Sequence, residues 1–134
     1  MAKKYLCLDT GGTSIKYAVC DENGVMLENG KTAVGKTLEG FLDQVEAIYK
    51  TVQPVEGIAC SFPGEVHSEE GIIYGISAVE QLHKCPLKKL ISERCGSKKV
   101  SMVNDANAAA LGEAWLGVGK KHKNIAFVIV GSGV

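Results

Sequence analysis

The chain has 134 residues, 46% of them apolar and 22% charged, enough for one domain with a proper core. Fifteen basic and fifteen acidic residues cancel, which excludes the basic footprint of a nucleic-acid binder or of a protein held on an anionic membrane. Five cysteines, nowhere spaced as Cys-x-x-Cys, and three scattered histidines argue against a disulfide framework and a zinc motif. The N-terminus reaches Asp9 after only four mostly apolar residues, too few for a signal peptide, and no run approaches a membrane span, so the expected home is a reducing cytoplasm.

Residues 4–9 (KYLCLD) fit a buried strand, and 14–20 (SIKYAVC) fit a second, with Ile15, Tyr17 and Val19 alternating. DENG at 21–24 carries Asn-Gly, a strong hairpin signal, and VMLENGKTA follows as a third strand. From Leu38 to Val52 the apolar positions are 38, 41, 42, 45, 48, 49 and 52, the stripe of an amphipathic helix. Thr37 is a suitable N-cap for it, and Pro54 follows its end. VEGIACSF (55–62) fits a strand, Pro63-Gly64 a turn and GIIYG (71–75) a short strand. Pro86 opens a helix that runs to about Arg94, with Gly96 where a terminating glycine belongs. KVSMV (99–103) is a strand, Ala106 to Leu116 a small-residue helix able to pack closely, and NIAFVIV (124–130) a last apolar strand.

The order β-β-β-α-β-(β)-α-β-α-β predicts an α/β fold with a mixed sheet and helices packed on it. GVGKKHKN (117–124) has the composition of a connector, which divides the chain into a lobe over residues 1–118 and, over 119–134, a connector with the first strand of a truncated second lobe. A lone apolar strand running into Gly-Ser-Gly needs partners, so the chain is expected to be a fragment.

Two stretches compete as phosphate loops. Gly30 to Thr37 (GKTAVGKT) fits the Walker A pattern, with Lys36 as its lysine. That mechanism needs a central parallel strand before the loop, whereas here the third strand of a meander precedes it. The simpler reading is that Thr37 caps a helix and the lysines are solvated. Asp9-Thr10-Gly11-Gly12-Thr13 instead lies at a hairpin tip. Its paired glycines would let the backbone approach a ligand and take positive φ, and its successive N–H groups would form an anion nest. Asp9 offers a carboxylate suited to Mg²⁺ through water. Val103-Asn104-Asp105-Ala106-Asn107 ends a strand and opens a helix. A carboxylate there commonly caps the helix, but Asn-Asp-x-Asn also puts three polar side chains at a sheet edge where α/β proteins bind ligands. The closing VIVGSG echoes the opening grammar of an apolar strand entering a glycine turn.

Together LDTGGTSIKYAVCDENG, CSFPGEVHSEEGIIYG, VNDANAAALGEAWLG and VIVGSGV resemble the ROK sugar kinases of the actin-like ATPase superfamily, along the whole chain. The resemblance implies a ribonuclease-H-like lobe and a full-length protein about twice as long. It implies transfer of the γ-phosphate of ATP to a hexose or amino-sugar hydroxyl, with Asp105 as catalytic base and Asn104 on the sugar. Asp9, Gly11, Gly12 and Thr13 would face the phosphates and Mg²⁺, with Lys16 a further phosphate contact, and Gly131, Ser132 and Gly133 would meet them from the other lobe. Pro63, Gly64, Ser77 and Ala78 would line the sugar site, with His83 near it. The family's Glu-x-Gly-His segment and its zinc motif would lie beyond residue 134, and the full-length protein is expected to be a homodimer. The segment GISAVEQLHKCPL departs from the family's usual Asn-Leu pattern, which leaves the sugar open. A sugar-sensing regulator of the same fold and a P-loop NTPase stand as the other readings.

Overall fold

The computed structural model of the chain describes residues 2–124, 126 and 128. It opens as the expected meander: β1 (Lys4–Thr10), β2 (Ser14–Asp21) and β3 (Met26–Ala33) run antiparallel. Strand alternation sends Leu6 and Leu8 of β1 and Ile15 and Val19 of β2 to one face, where all four are buried. Between β2 and β3 the Asp21 carboxylate accepts the N–H groups of Asn23 and Val25, both at 2.9 Å. Gly24 then takes φ +83°, which a side chain would resist.

Helix α1 (Leu38–Thr51) follows the apolar stripe, burying Phe41, Leu42, Val45 and Ile48. Thr37 caps it, its side chain accepting the Gly40 N–H at 3.0 Å. The helix carries the chain over to β4 (Gly57–Phe62), which lies parallel to β1. A second crossover leads through α2 (Leu87–Cys95) to β7 (Val100–Asn104), parallel to β4. Gly96 ends α2 in the left-handed conformation, φ +67°. The five strands stand in the order β3-β2-β1-β4-β7. Arg94 of α2 reaches Glu39, Asp43 and Glu46 of α1, tying the two helices together over the buried face.

Three features differ from the sequence expectation. The short strand at 71–75 is not part of the main sheet. It is β6 (Ile72–Tyr74), paired among the described residues only with an unforeseen β5 (Glu65–His67) in a separate two-stranded ribbon. A single 3₁₀ turn, Glu80–Leu82, fills what the sequence left as loop. Helix α3 (Asp105–Leu116), whose small residues would let it pack closely, buries no residue. It crosses the other face of the sheet, its end touching the β2–β3 turn: a β-carbon at Gly24 would collide with Leu116 Cδ1. Beside it a cavity of about 750 Å³ opens along that face, bordered by Cys7, Ala18, Ala59, Ser101, Val103 and Ala108. Much of the expected strand at 124–130 lies outside the described residues. Among the described residues no helix is long and apolar enough to cross a membrane.

Candidate functional site

Because β1, β4 and β7 are parallel, their carboxyl ends emerge at one edge, the usual ligand edge of such sheets. Register fixes what stands there. Asp9 is opposite Ser61, Ser61 is opposite Val103, and Phe62 is opposite Asn104. With neighbouring strands ~4.8 Å apart, the Asp9 and Val103 backbones are about 10 Å apart, and Asp105 begins the helix just beyond. The glycine hairpin tip and the Asn-Asp junction therefore share one edge. Asp9 is exposed, and the Ser61 hydroxyl donates to its Oδ1 at 2.8 Å. Lys16 is its cross-strand neighbour on β2, also exposed.

The hairpin tip closes with Gly11 N–H donating to Ser14 O at 2.8 Å. Gly12 and Thr13 N–H make no backbone bond among the described residues, and both residues are exposed. Neither Gly11 nor Gly12 has positive φ, so the expected left-handed nest is not how the tip is built. Glycine is needed at 12 for a different reason. A β-carbon there would lie 2.9 Å from Ala78 Cβ, so the segment carrying Ala78 rests directly on the tip. Beneath it, the Thr10 hydroxyl is buried with no partner among the described residues.

Pro63-Gly64 directly follows β4, Gly64 meets Ser77, Ala78 lies on the tip and Asn104 ends β7. Gly64 has φ +96°, and a β-carbon on it would lie 2.6 Å from Ser77 Cβ. Asn104, not Asp105, is the cap of α3: its Oδ1 accepts the N–H groups of Ala106 and Asn107 at 2.9 and 3.2 Å. Its Nδ2 donates to Gly64 O at 2.8 Å. With both Oδ1 lone pairs and one amide hydrogen used, Asn104 keeps one N–H for a ligand. Asp105 is the exposed first residue of the helix, its Oδ1 taking the Ala106 N–H at 2.8 Å. Its second carboxylate oxygen makes no hydrogen bond among the described residues.

Other chemistry is not gathered here. The large cavity on the sheet face reaches Asp9, Lys16 and Ser61 but not the tip glycines, Ser77 or Asp105, and its lining is mostly apolar. Burial pushes the Cys60 thiol up to about 12. Burial, and then its neighbour Cys20, push Cys7 up to about 11. Both are therefore protonated thiols at neutral pH and not nucleophiles. No three His, Cys, Asp or Glu side chains gather as a metal cluster among the described residues. Gly131, Ser132 and Gly133 lie outside the described residues. In the Walker-like stretch, Gly30 to Ala33 belong to β3 and pair with Tyr17 to Ser14 of β2, so their backbone is a ladder and not a phosphate loop. Ser61, which holds Asp9 from 52 positions away, carried no sequence signal, and neither did the bond by which Asn104 grips the Gly64 carbonyl across 40.

The chain matches the model of the ROK family over residues 5–134. It is 32% identical to a glucokinase of Thermotoga maritima, over 98% of this chain and 43% of that one. A ROK family glucokinase from Streptomyces griseus, solved with glucose and AMPPNP, superposes with a TM-score of 0.77 at 31% identity, covering 91% of this chain and 39% of that one. A ROK family protein from Streptococcus pneumoniae, solved with sucrose, gives a TM-score of 0.75 at 32% identity over 86% of this chain and 38% of that one. The chain thus spans about two fifths of the length of these relatives.

Proposed function

The chain belongs to the ROK family, and from that premise we propose that it is the N-terminal lobe of an ATP-dependent kinase acting on a hexose or amino sugar. The fold is the ribonuclease-H-like lobe of that family, as its solved neighbours have it. The observation that carries the proposal is the register of β1, β4 and β7, which brings Asp9 and the Asn104-Asp105 junction to one sheet edge.

In this reading the sugar lies between Gly64, Ser77, Ala78 and the α3 N-terminus. Asp105 accepts the proton of the attacking hydroxyl on its free carboxylate oxygen. The sugar oxygen forms its bond to the γ-phosphorus as the bond to the β-phosphate oxygen breaks, and ADP leaves. Asn104 fixes the junction by its three hydrogen bonds and has one N–H left for the sugar. The exposed N–H groups of Gly12 and Thr13, with Lys16 beside Asp9, suit phosphate oxygens. Asp9 fits Mg²⁺ through water, because Ser61 occupies only Oδ1 and the other hard oxygen makes no hydrogen bond among the described residues. A bound Mg²⁺ would neutralise charge on the transferring phosphates. The homodimer, the second phosphate turn at Gly131 to Gly133 and any zinc belong to the same proposal for the longer protein.

The test is Asp105→Asn in the full-length protein, with ATP and a panel of hexoses and amino sugars. Turnover should fall by at least about 100-fold, because the base is lost. Sugar affinity by calorimetry should stay within about threefold, a change of well under 1 kcal/mol. Turnover within a few-fold of the parent would remove Asp105 from this role.

A further inference from the structure

Ser77 packs against the Gly64 turn, and its neighbour Ala78 lies against Gly12 of the hairpin tip. Its Oγ accepts the Val79 N–H at 3.1 Å and lies 3.0 Å from His83 Nε2. A hydroxyl has one donor and two lone pairs, and Val79 takes one lone pair. His83 decides what is left. When Nε2 carries no proton it accepts the Ser77 O–H, and Ser77 presents a single lone pair to a ligand. When Nε2 carries a proton it donates to Ser77, both lone pairs are used, and the O–H is free to point at the ligand. With no side-chain partner at 83, the hydroxyl turns freely and presents neither reliably.

The backbone that carries the ring is held. Before it in the chain Val79 and Leu82 are fully buried, and His83 N–H donates to Glu80 O at 3.1 Å. After it Lys84 has φ +59° and donates its N–H to Ile73 O at 2.9 Å. A residue with a β-carbon keeps that conformation only where its surroundings over-determine it. The turn is therefore fixed both before and after His83. Among the described residues Ser77 is the one side-chain partner of the half-buried ring.

Resting on the sugar-kinase reading, we propose that His83 is a positioning residue, its Nε2 fixing the Ser77 hydroxyl for a sugar hydroxyl held between Gly64, Ala78 and Asp105. The sequence placed His83 only in the neighbourhood of the sugar. The structure supplies the bond through which it acts.

A double-mutant cycle in the full-length protein tests this, using His83→Leu, His83→Gln, Ser77→Ala and the double variant His83→Leu/Ser77→Ala. His83→Leu should raise the sugar KM about tenfold, the worth of one directed hydrogen bond, while the KM for ATP is unchanged. His83→Gln, which can still donate or accept, should recover most of that loss. The double variant should be no worse than Ser77→Ala alone, because His83 acts through Ser77. Additive losses, equal changes in both KM values, or failure of glutamine to rescue in a variant that melts like the parent would overturn the proposal. The parent protein separates this from the wider reading. If it binds a sugar without phosphorylating it, the kinase reading fails and the same cycle is read in sugar Kd. If it binds no sugar, both fail.

Discussion

Thr10 is the residue whose chemistry is least matched to its place. Its side chain points to the buried face with Leu6 and Leu8, and among the described residues its hydroxyl has no partner there. An unpartnered buried hydroxyl costs on the order of 1–3 kcal/mol, and valine has the same shape and an equal liking for strands. Thr10→Val should therefore stabilise the protein by about 1 kcal/mol, a rise in Tm of roughly 3–5 °C by calorimetry. A fall in Tm would mean that the hydroxyl is engaged in a bond that the fold needs. Residue identity alone could not have shown this. In sequence, Thr10 is one of three polar residues in Asp-Thr-Gly-Gly-Thr, and only the parity of β1 sends it inward while Asp9 goes outward. The same holds for Asn104 and Asp105. Either could have capped the helix, and the choice fell to Asn104 because it also grips Gly64 O across 40 positions.

At the scale of elements, the stretch Gly30 to Thr37 divides in two. Its first half is strand β3, and its end is the entry to α1. Gln44 straps that corner, accepting Gly35 N–H at 2.7 Å and donating to Ala33 O at 2.5 Å. Thr37 caps the helix, while Lys36 is exposed and makes no hydrogen bond among the described residues. The two neighbours should therefore respond differently. Thr37→Ala should cost about 1 kcal/mol of stability in denaturant unfolding, the worth of an N-cap. Lys36→Ala should leave both stability and nucleotide affinity unchanged, whereas a phosphate loop would lose nucleotide binding altogether. Elements such as α1 were legible because seven apolar positions share one face over four turns, with a cap at one end and a proline past the other. The meander was legible for the same reason, with Asn-Gly marking its turn. Strand β6 was legible in GIIYG, but its partner β5 was not, since three residues carry too little alternation to show a period. The 3₁₀ turn beside His83 was hidden likewise, and with it the Ser77 contact.

Across the whole molecule the two faces of the sheet are unequal. One carries α1, α2 and the buried core. The other shows small side chains from β1, β2, β4 and β7, with α3 lying across it and burying nothing. Leu111, Trp115 and Leu116 of α3 are 62%, 57% and 51% exposed, and Ala59 is exposed at the middle of the sheet. Scattered apolar residues on a surface need no explanation, but a helix and a sheet face that are apolar side by side make a patch. This has a direct reading in solution. Trp115 is the chain's only tryptophan, so its emission reports this face alone. In the 134-residue chain it should emit at the long wavelength of hydrated indole, and an apolar dye should bind with enhanced fluorescence. Leu111→Glu should then cut dye binding while leaving the melting temperature within about 1 °C, because a surface change away from the core is worth at most ~0.5 kcal/mol. A short-wavelength Trp115 emission, or a drop of several degrees on Leu111→Glu, would show that α3 packs its apolar side against the sheet after all. The opening beside α3 would then be closed in solution. The candidate site at the strand ends would be untouched by either result, since Asp9, Gly12, Asn104 and Asp105 owe their places to the sheet register and to the cap at the start of α3, not to the turns that follow.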